Sequence, residues 1–499
     1  MNTDTYRDKV RACWFGKCLG GNLGMPYEGR EGPLELKRDA VQRVSVPNDD
    51  FELQMLWLWL MENRGEALRS GDFAGVWDKW YQADWDEYGV ARWNIRRGLK
   101  PPLTGFHNNW FTDGMGAAIR SEIWACLFPG KPDLASAFAR EDACVDHAGE
   151  GIFAEIFLAA AESSAFISGD LTASIDAGLF HIPGNSRVAQ AVRFVGELWR
   201  QKIPAVRARE EILKKFGSHN FTDVCMNLGF IMLGLWYGEG EFEKSVLTAV
   251  NCGMDTDCTA ATTAAMIGIL RGSNGIPESW RALVDNNLAY SSFLKELPLP
   301  RTIDEAVERT AVMARRLSGL APDKPLANMT PVITEYPVND RHQWLIFRSP
   351  LGNDFFSDPN IIKQAQADPG RFHKNLVEFS GIHMNLSPYV ENAGDTLDLL
   401  TRFGSDRNIH GKLMVCADMT GMTVWLDEQM IMNYHGRRKS VPAFHRVEGG
   451  AVVPVDLRAD RPRHLRIRLL SCSKPLTLTV ALADGQDRYL DGMLFRVKN

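Results

Sequence analysis

The sequence predicts a mainly α-helical N-terminal domain followed by an all-β C-terminal domain of the β-sandwich or jelly-roll type. Its 499 residues exceed what one hydrophobic core usually organises, so two domains are expected. Apolar residues recur at three- and four-residue spacing as far as residue 319, and beyond a proline-containing break they alternate with a period of two. The predicted domains are residues 1–320 and 331–499, joined by a linker at residues 321–330.

Helical runs in the first domain are separated by breaks that contain glycine or proline. The clearest runs repeat apolar side chains along one face, as amphipathic helices do. They cover residues 117–127, 151–166, 188–200, 224–236 and 305–317. This pattern predicts an all-α domain.

Two adjacent carboxylates precede the apolar helical run at residues 51–61, in the segment Asn48-Asp49-Asp50. One interpretation is structural, because Asn48 is a good N-cap and the helix dipole favours acidic residues in the first turn. Taken alone, this cluster predicts only the start of a helix.

A second acidic cluster, Asn251-Cys252-Gly253-Met254-Asp255-Thr256-Asp257-Cys258-Thr259, lies just before an alanine-rich run that we expect to stop at Gly272. A buried helix that begins with two carboxylates needs a dipole, an arginine or a metal ion to neutralise them. Capping accounts for one of the two but not for both. The two clusters together predict an oxygen-rich site for a hard cation such as Mg²⁺, Mn²⁺ or Ca²⁺.

Alternating apolar and polar residues predict short strands in the C-terminal part, at residues 412–417, 422–426, 429–433, 451–457, 464–470 and 476–482. Turns are expected at Thr420-Gly421, Glu448-Gly449-Gly450 and Asp484-Gly485. Such a module resembles the accessory modules of bacterial carbohydrate-active enzymes. It fits equally well a cover for an apolar face of the helical domain, or a subunit contact.

Composition excludes several classes of partner. A hydrophobic content of 45%, with 24% charged residues, is typical of a soluble globular protein. The net charge of −6 offers no field for a phosphate backbone, so nucleic acid is not expected. Nine cysteines without a Cys-x-x-Cys pair indicate a reducing compartment. The polar N-terminus and the short apolar stretches predict a cytoplasmic protein without a membrane anchor.

The sequence resembles the ADP-ribosylglycohydrolase family, whose members carry an early Thr-Asp-Asp cluster and a late Gly-Gly-Asp-Thr-Asp-Thr cluster. The two acidic segments described above match these clusters. Three further segments are similar to family motifs in the same order along the chain: Gly16-Lys17-Cys18-Leu19-Gly20-Gly21-Asn22-Leu23-Gly24-Met25-Pro26-Tyr27-Glu28-Gly29, Gly114-Met115-Gly116-Ala117-Ala118-Ile119-Arg120 and Ile276-Pro277-Glu278-Ser279-Trp280.

The resemblance implies a helical catalytic domain with one or two Mg²⁺ or Mn²⁺ ions. The implied metal ligands are Asn48, Asp49, Asp50, Asp255 and Asp257. Asn48 stands where the family has a threonine, and its amide oxygen is a hard donor. Cys258 replaces a second threonine, and a thiol is a poor partner for Mg²⁺. That change implies a weakened metal position, its replacement by water or Thr259, or a softer ion such as Mn²⁺.

Glu28, Asp49 and Asp257 are the implied catalytic residues. The glycine-rich run before Glu28 is interpreted as a loop that brings the backbone close to substrate, with Glu28 as general acid/base or as a substrate-orienting carboxylate. An exposed loop glutamate without a catalytic role is the alternative.

Four further residues are implied in substrate binding: Asp113, Gly114 and Met115 in a flexible loop, and His147 before a long helix. Met115 replaces a polar family residue, for which Asp113 can compensate in a way that favours hydroxyls over phosphate. A histidine bonded to backbone at the helix start is the alternative for His147.

The predicted function is that of a metal-dependent glycosyl hydrolase that cleaves an N- or O-glycosidic bond to ADP-ribose or a ribose-like furanose. One alternative is a non-catalytic, crystallin-like binding or structural protein on the same fold. Another is a glycosidase that acts on a carbohydrate unrelated to ADP-ribose. The expected partner is a small sugar-nucleotide or carbohydrate substrate, and the chain is compatible with a homo-oligomer.

Overall fold

The computed structural model describes residues 1–42, 46–321, 340–350, 359–438, 441–446 and 451–497. The chain forms two compact units. The first comprises Met1–Gln82, Lys100–Phe106 and Phe111–Val332, and the second comprises Ala83–Leu99, His107–Trp110 and Ile333–Asn499. All but the first residue of the predicted linker at 321–330 lies outside the described residues, so the predicted domain boundaries stay a prediction.

The described residues of the first unit are helical, as predicted. In chain order, the α-helices among the described residues of both units are α1 (Thr3–Gly24), α2 (Asp49–Arg64), α3 (Ser70–Lys79), α4 (Asp86–Arg96), α5 (Leu103–Phe106), α6 (Ser121–Leu127), α7 (Pro132–Ala143), α8 (Glu150–Ser168), α9 (Leu171–Phe180), α10 (Arg187–Arg200), α11 (Ala205–Phe216), α12 (Val224–Gly238), α13 (Phe242–Val250), α14 (Thr256–Arg271), α15 (Glu278–Arg281), α16 (Ile303–Arg316) and α17 (Pro359–Ala367). Of these, α4 and α17 belong to the second unit.

Helices α1 and α14 pack closely along a row of glycines. Gly16, Gly20 and Gly24 lie one helical turn apart on α1, and a Cβ atom on any of them would overlap the backbone of α14. The interpretation of the glycine-rich run as a loop is therefore wrong. Glycine is required there because the two helix backbones touch, and the helix continues to Gly24.

Helix α8 is long and apolar enough to cross a membrane by length and composition alone, and 72% of its most apolar stretch is buried. Core helices of globular units have the same properties. The predicted cytoplasmic location stays a prediction.

The second unit contains two antiparallel sheets among its described residues, which confirms the predicted β-sandwich class. The seven-stranded sheet has the order β2-β1-β4-β9-β6-β7 with β11 also paired to β4, and the four-stranded sheet has the order β3-β10-β5-β8. The strands are β1 (Arg341–Ser349), β2 (Leu376–Ser380), β3 (His383–Asn385), β4 (Asp395–Ser405), β5 (Ile409–Ala417), β6 (Met419–Leu426), β7 (Gln429–Arg438), β8 (Ala451–Leu457), β9 (Arg463–Cys472), β10 (Thr477–Ala483) and β11 (Met493–Arg496).

Inward side chains of both sheets share one core, to which β4 contributes Leu397 and Leu399 and β10 contributes Leu478 and Val480. The turn expected at Thr420-Gly421 is wrong. Gly421 is paired on both sides, with Leu470 of β9 and His435 of β7, so ladder pairing overrides its turn propensity. The turn expected at Asp484-Gly485 is confirmed, and the one expected at residues 448–450 lies outside the described residues.

Helix α4 is packed within the second unit through Trp93. Its indole is 4% exposed, stacks on Tyr489 with ring centroids 5.5 Å apart, and donates a hydrogen bond to Asp491 Oδ1 at 2.6 Å. Asp86 at the start of the helix pairs with Arg446. A segment with helical sequence therefore belongs to the β-rich unit.

Candidate active site

The second acidic cluster lies at the N-terminus of α14. Asp255 is the N-cap residue, but its side chain makes no capping hydrogen bond. Gly253 and Met254 both have positive φ, at 77° and 65°, and this turn leads the chain into the helix. Helix capping thus does not explain the position of the Asp255 carboxylate.

Glu28 is held beside this cluster by the backbone. The N–H of Gly29 donates to the carbonyl of Met254 at 2.9 Å, and the N–H of Met254 donates to the carbonyl of Arg30 at 2.6 Å. Carboxylate oxygens of Glu28, Asp255 and Asp257 consequently lie within 4.8 Å of one another. The structure brings together three residues that the sequence predicts for the site.

The chemistry of this group fits a divalent cation. Asp255 and Asp257 are only 2% and 4% exposed, and Oδ1 of each has no hydrogen-bond donor among the described residues. Burial, followed by repulsion from Asp257 and Glu28, raises the pKa of Asp255 well above its usual range. Burial and the nearby Asp49 carboxylate raise the pKa of Asp257. A cation among these oxygens would relieve both costs.

The first acidic cluster faces the second across the N-terminus of α2. Asn48 is the N-cap, as predicted, and its Oδ1 accepts from the N–H of Asp50 at 2.7 Å. Its Nδ2 donates to Asp257 Oδ2 at 3.2 Å. In this arrangement the amide of Asn48 joins the two clusters, and Asp49 is the half-buried first residue of the helix.

Asp50 is contacted by two protein donors. The Nζ atom of Lys17 lies 3.2 Å from Oδ2, and both side chains are at most 1% exposed. The thiol of Cys258 donates to Oδ1 at 3.3 Å. Burial raises the pKa of Asp50 to about 7 even though Lys17 acts in the opposite direction. Lys17 also donates to Glu122 at 2.8 Å and to Thr262 at 3.2 Å, so its ammonium is fixed from three sides.

The backbone between Phe111 and Ala117 is irregular, as expected of the loop that contains Asp113, Gly114 and Met115. The role of this predicted substrate loop in binding substrate stays a prediction. Asp113 Oδ2 lies 3.6 Å from the guanidinium of Arg187, a partly exposed residue that also lies 3.9 Å from Asp223. Gly114 forms an isolated antiparallel bridge with Asp223, the N-cap of α12. Met115 in the same loop is buried.

His147 is fully buried and lies before α8, as predicted, with Nδ1 3.0 Å from Asp146. Asp146 and Asp142 both receive hydrogen bonds from the buried guanidinium of Arg120. Burial opposes ionisation of Asp146, but Arg120 and His147 outweigh it and hold its pKa at about 2. Arg120 also donates to the carbonyl of Gly116 at 2.5 Å, so this network contacts the predicted substrate loop. The role of His147 in substrate binding stays a prediction.

Asn227 links the substrate loop to the acidic cluster. Its Oδ1 accepts from the N–H of Asp255 at 3.3 Å, and its Nδ2 donates to the carbonyls of Phe221 and Asp223. Sequence reasoning missed Asn227, Lys17 and Arg187. An amide in the otherwise apolar stretch of α12 was a usable signal for Asn227, and a lysine among glycines and apolar residues was one for Lys17.

Comparison with known proteins identifies the family. The family model described as ADP-ribosylglycohydrolase matches residues 2–320 of this chain. The chain belongs to the ADP-ribosylglycohydrolase family. Membership confirms the resemblance and supports a glycohydrolase activity at the level of reaction class. The family acts on small ADP-ribose-type substrates, which is consistent with a small-molecule substrate.

Two individual proteins are similar to this chain. An uncharacterized protein of Archaeoglobus fulgidus is 24% identical over 312 residues, which cover 58% of this chain and 94% of the relative. A solved structure described as an ADP-ribosylglycohydrolase-related protein complex is 19% identical, with a TM-score of 0.40, and the match covers 63% of this chain and 99% of the other.

Proposed function

We propose that this member of the ADP-ribosylglycohydrolase family is a metal-dependent hydrolase that cleaves an N- or O-glycosidic bond to ADP-ribose or a ribose-like furanose. The observation that carries the proposal is the convergence of Glu28, Asp255 and Asp257 within 4.8 Å. Two buried oxygens in this group have no donor among the described residues. Mg²⁺ or Mn²⁺ suits such an all-oxygen donor set.

The reaction passes through an oxocarbenium-like transition state and requires an oriented sugar and an activated water. When bound, the cation orients ring hydroxyls and lowers the pKa of water. Glu28 is exposed at the edge of the buried pair Asp255 and Asp257, and we assign it as the group that accepts a proton from the attacking water. Asp257 and Asp49 hold negative charge beside the sugar ring, where the positive charge develops.

The side chains around Arg187 help to distinguish between a phosphorylated and an unphosphorylated substrate. A guanidinium beside the substrate loop is suited to bind a phosphate of ADP-ribose. Asp113 and Asp223 already lie within 4 Å of it, however, and their carboxylates favour hydroxyls as partners. This observation supports a second candidate substrate, an unphosphorylated furanoside or nucleoside.

A substrate screen tests the proposal. The EDTA-treated protein is supplied with Mg²⁺ or Mn²⁺ and offered ADP-ribosyl, nucleoside and furanosyl substrates, and release of reducing sugar is measured. We expect metal-dependent release from at least one class, and an Asp257→Asn variant should abolish it. Full activity in EDTA would refute metal dependence. Absence of turnover together with absence of any metal-induced thermal shift would favour a non-catalytic, crystallin-like protein.

A further inference from the structure

Asp50 differs from the other site carboxylates in what surrounds it. Asp255 and Asp257 keep buried oxygens without a donor among the described residues. Oδ1 of Asp50 instead accepts from the Cys258 thiol at 3.3 Å, and its Oδ2, which also accepts no hydrogen bond among the described residues, forms an ion pair with the Lys17 ammonium at 3.2 Å. The two acidic clusters therefore do not offer equivalent places for a cation.

We propose that this chain holds a single divalent cation, at Glu28, Asp255 and Asp257, and that the ammonium of Lys17 takes the place of a second cation at Asp50. The inference rests on the metal dependence proposed above and specifies the number and position of the ions. It also assigns Lys17 as a positioning residue, because it acts through Asp50 and not on substrate.

Three features keep Lys17 in this place. Its side chain is 0% exposed, so solvent does not compete for it. Glu122 and Thr262 receive hydrogen bonds from the same Nζ atom, at 2.8 Å and 3.2 Å. Glu122 is in turn held by Nε2 of Gln54 at 2.9 Å. A second dication at Asp50 would lie next to a fixed positive charge in a site of low dielectric, where repulsion is strong.

Cys258 also disfavours a second cation at Asp50. Asp50, Asp257 and Cys258 do bring ligand atoms within 4.8 Å of one another, so geometry alone would admit a cation there. One of the three donors is a neutral thiol that already donates to Asp50, and sulfur is a soft ligand that Mg²⁺ disfavours. The group at Glu28 offers only oxygen and opens to solvent through Glu28, as a cation that must reach substrate requires.

Metal counting tests the proposal without measuring turnover. Equilibrium dialysis of the EDTA-treated full chain against Mn²⁺, with electron paramagnetic resonance of the bound ion, should give one ion per chain and no Mn–Mn coupling. Two coupled ions would overturn the single-ion proposal and leave metal-dependent hydrolysis standing. No bound ion would overturn both.

A matched pair of variants locates the ion. Asp255→Asn should weaken Mn²⁺ binding by more than about 100-fold, whereas Asp50→Asn should weaken it by less than about tenfold, the lower end of outer-shell effects. The reverse order would place the ion at Asp50 and overturn the proposal. Lys17→Met, where it folds, should raise the count to two ions, and a count of one in a folded Lys17→Met protein would show that Lys17 does not replace a cation.

Discussion

Asn227 accepts a hydrogen bond from the backbone N–H of Asp255, with 3.3 Å between Oδ1 and N. The same amide donates to the carbonyls of Phe221 and Asp223, at 2.7 Å and 3.0 Å. Asp223 in turn bridges to Gly114 in the substrate loop. One side chain of α12 thus connects the backbone of Asp255 to the loop predicted to bind substrate.

Replacement of Asn227 should therefore reduce activity as well as stability. We expect Asn227→Ala to weaken Mn²⁺ binding about 10-fold, as loss of an outer-shell partner does. The loss of its hydrogen bonds should lower the free energy of unfolding by about 1–3 kcal/mol. Metal titration and thermal unfolding check both. Asn63→Ala, on the exposed side of α2, is the control, and an unchanged metal affinity in Asn227→Ala would make Asn227 purely structural.

Removal of one carboxylate from the crowded cluster should stabilise the metal-free protein. Burial and the neighbouring Asp257 and Glu28 penalise the charge of Asp255. Asp255→Asn removes that charge, so the melting temperature in EDTA should rise by roughly 1–3 °C. We expect Mn²⁺ to raise the melting temperature of the wild type, and this rise should disappear in Asp255→Asn. Differential scanning fluorimetry with and without Mn²⁺ measures both, and a lower melting temperature in EDTA would contradict the charge-crowding explanation.

The contact between α1 and α14 should tolerate no side chain at Gly24. A Cβ there would overlap the carbonyl of Thr256, one residue before Asp257. We expect Gly24→Ala to lower the free energy of unfolding by several kcal/mol, on the order of a severe overpacking effect. Chemical denaturation measures the change.

Gly75 in α3 provides the matched control. It lies within a helix, and a Cβ there meets nothing within 4 Å. Gly75→Ala should raise the free energy of unfolding by about 0.5–1 kcal/mol, because alanine has the higher helix propensity. Equal destabilisation by both substitutions would contradict the glycine-packing explanation.

The acidic clusters could be predicted from sequence because their signal is local. An asparagine and two aspartates at a helix start need only the next turn for their interpretation, and Asn48 is indeed the N-cap of α2. The pair of Lys17 with Asp50 depends on contacts between α1 and α2, distant in sequence. The spacing of apolar residues along one helix does not show which side chains it contacts on another helix.

The strands likewise fall into those that a local sequence pattern predicts and those that it does not. β8 was predicted at Ala451–Leu457 because its alternation is clear, and the structure has the same bounds. β4 was missed because nearly all its residues are buried on both faces, so period-two alternation is lost. The residues of α4 have a helical pattern that is independent of the unit against which the helix packs, so its place in the β-rich unit is not predictable from that pattern.

Acid should weaken the second unit through His342. Burial lowers the pKa of His342 to about 4, although Asp340 acts in the opposite direction. In the unfolded chain the pKa is about 6.5, so the unfolded state binds more protons between these values. The stabilising contribution is thus fully present above pH 6.5 and is lost progressively as the pH falls towards 4. Thermal unfolding between pH 7.5 and 4.5 measures this loss.

The variant His342→Phe isolates that contribution. The imidazole lies edge-on to Phe495 with ring centroids 4.6 Å apart, and its Nδ1 has no hydrogen-bond partner among the described residues. A phenyl ring fills similar space and does not titrate. The melting temperature of His342→Phe should fall less than that of the wild type as the pH is lowered. Parallel curves for the two proteins would show that His342 does not contribute to the acid sensitivity.

Arg187 should distinguish the two candidate substrates. Its guanidinium is 45% exposed and lies 3.6 Å from Asp113 and 3.9 Å from Asp223, so it is free to reach an anion but is already partly neutralised. If ADP-ribose is the substrate, Arg187→Ala should raise KM about tenfold or more, since a charge-assisted contact to phosphate is lost, while kcat changes little. For an unphosphorylated furanoside, KM should stay within about twofold. Arg193→Ala, a second arginine of α10, is the control. An equal rise of KM for both substrates would mean that Arg187 holds the loop through Asp113 and does not recognise phosphate.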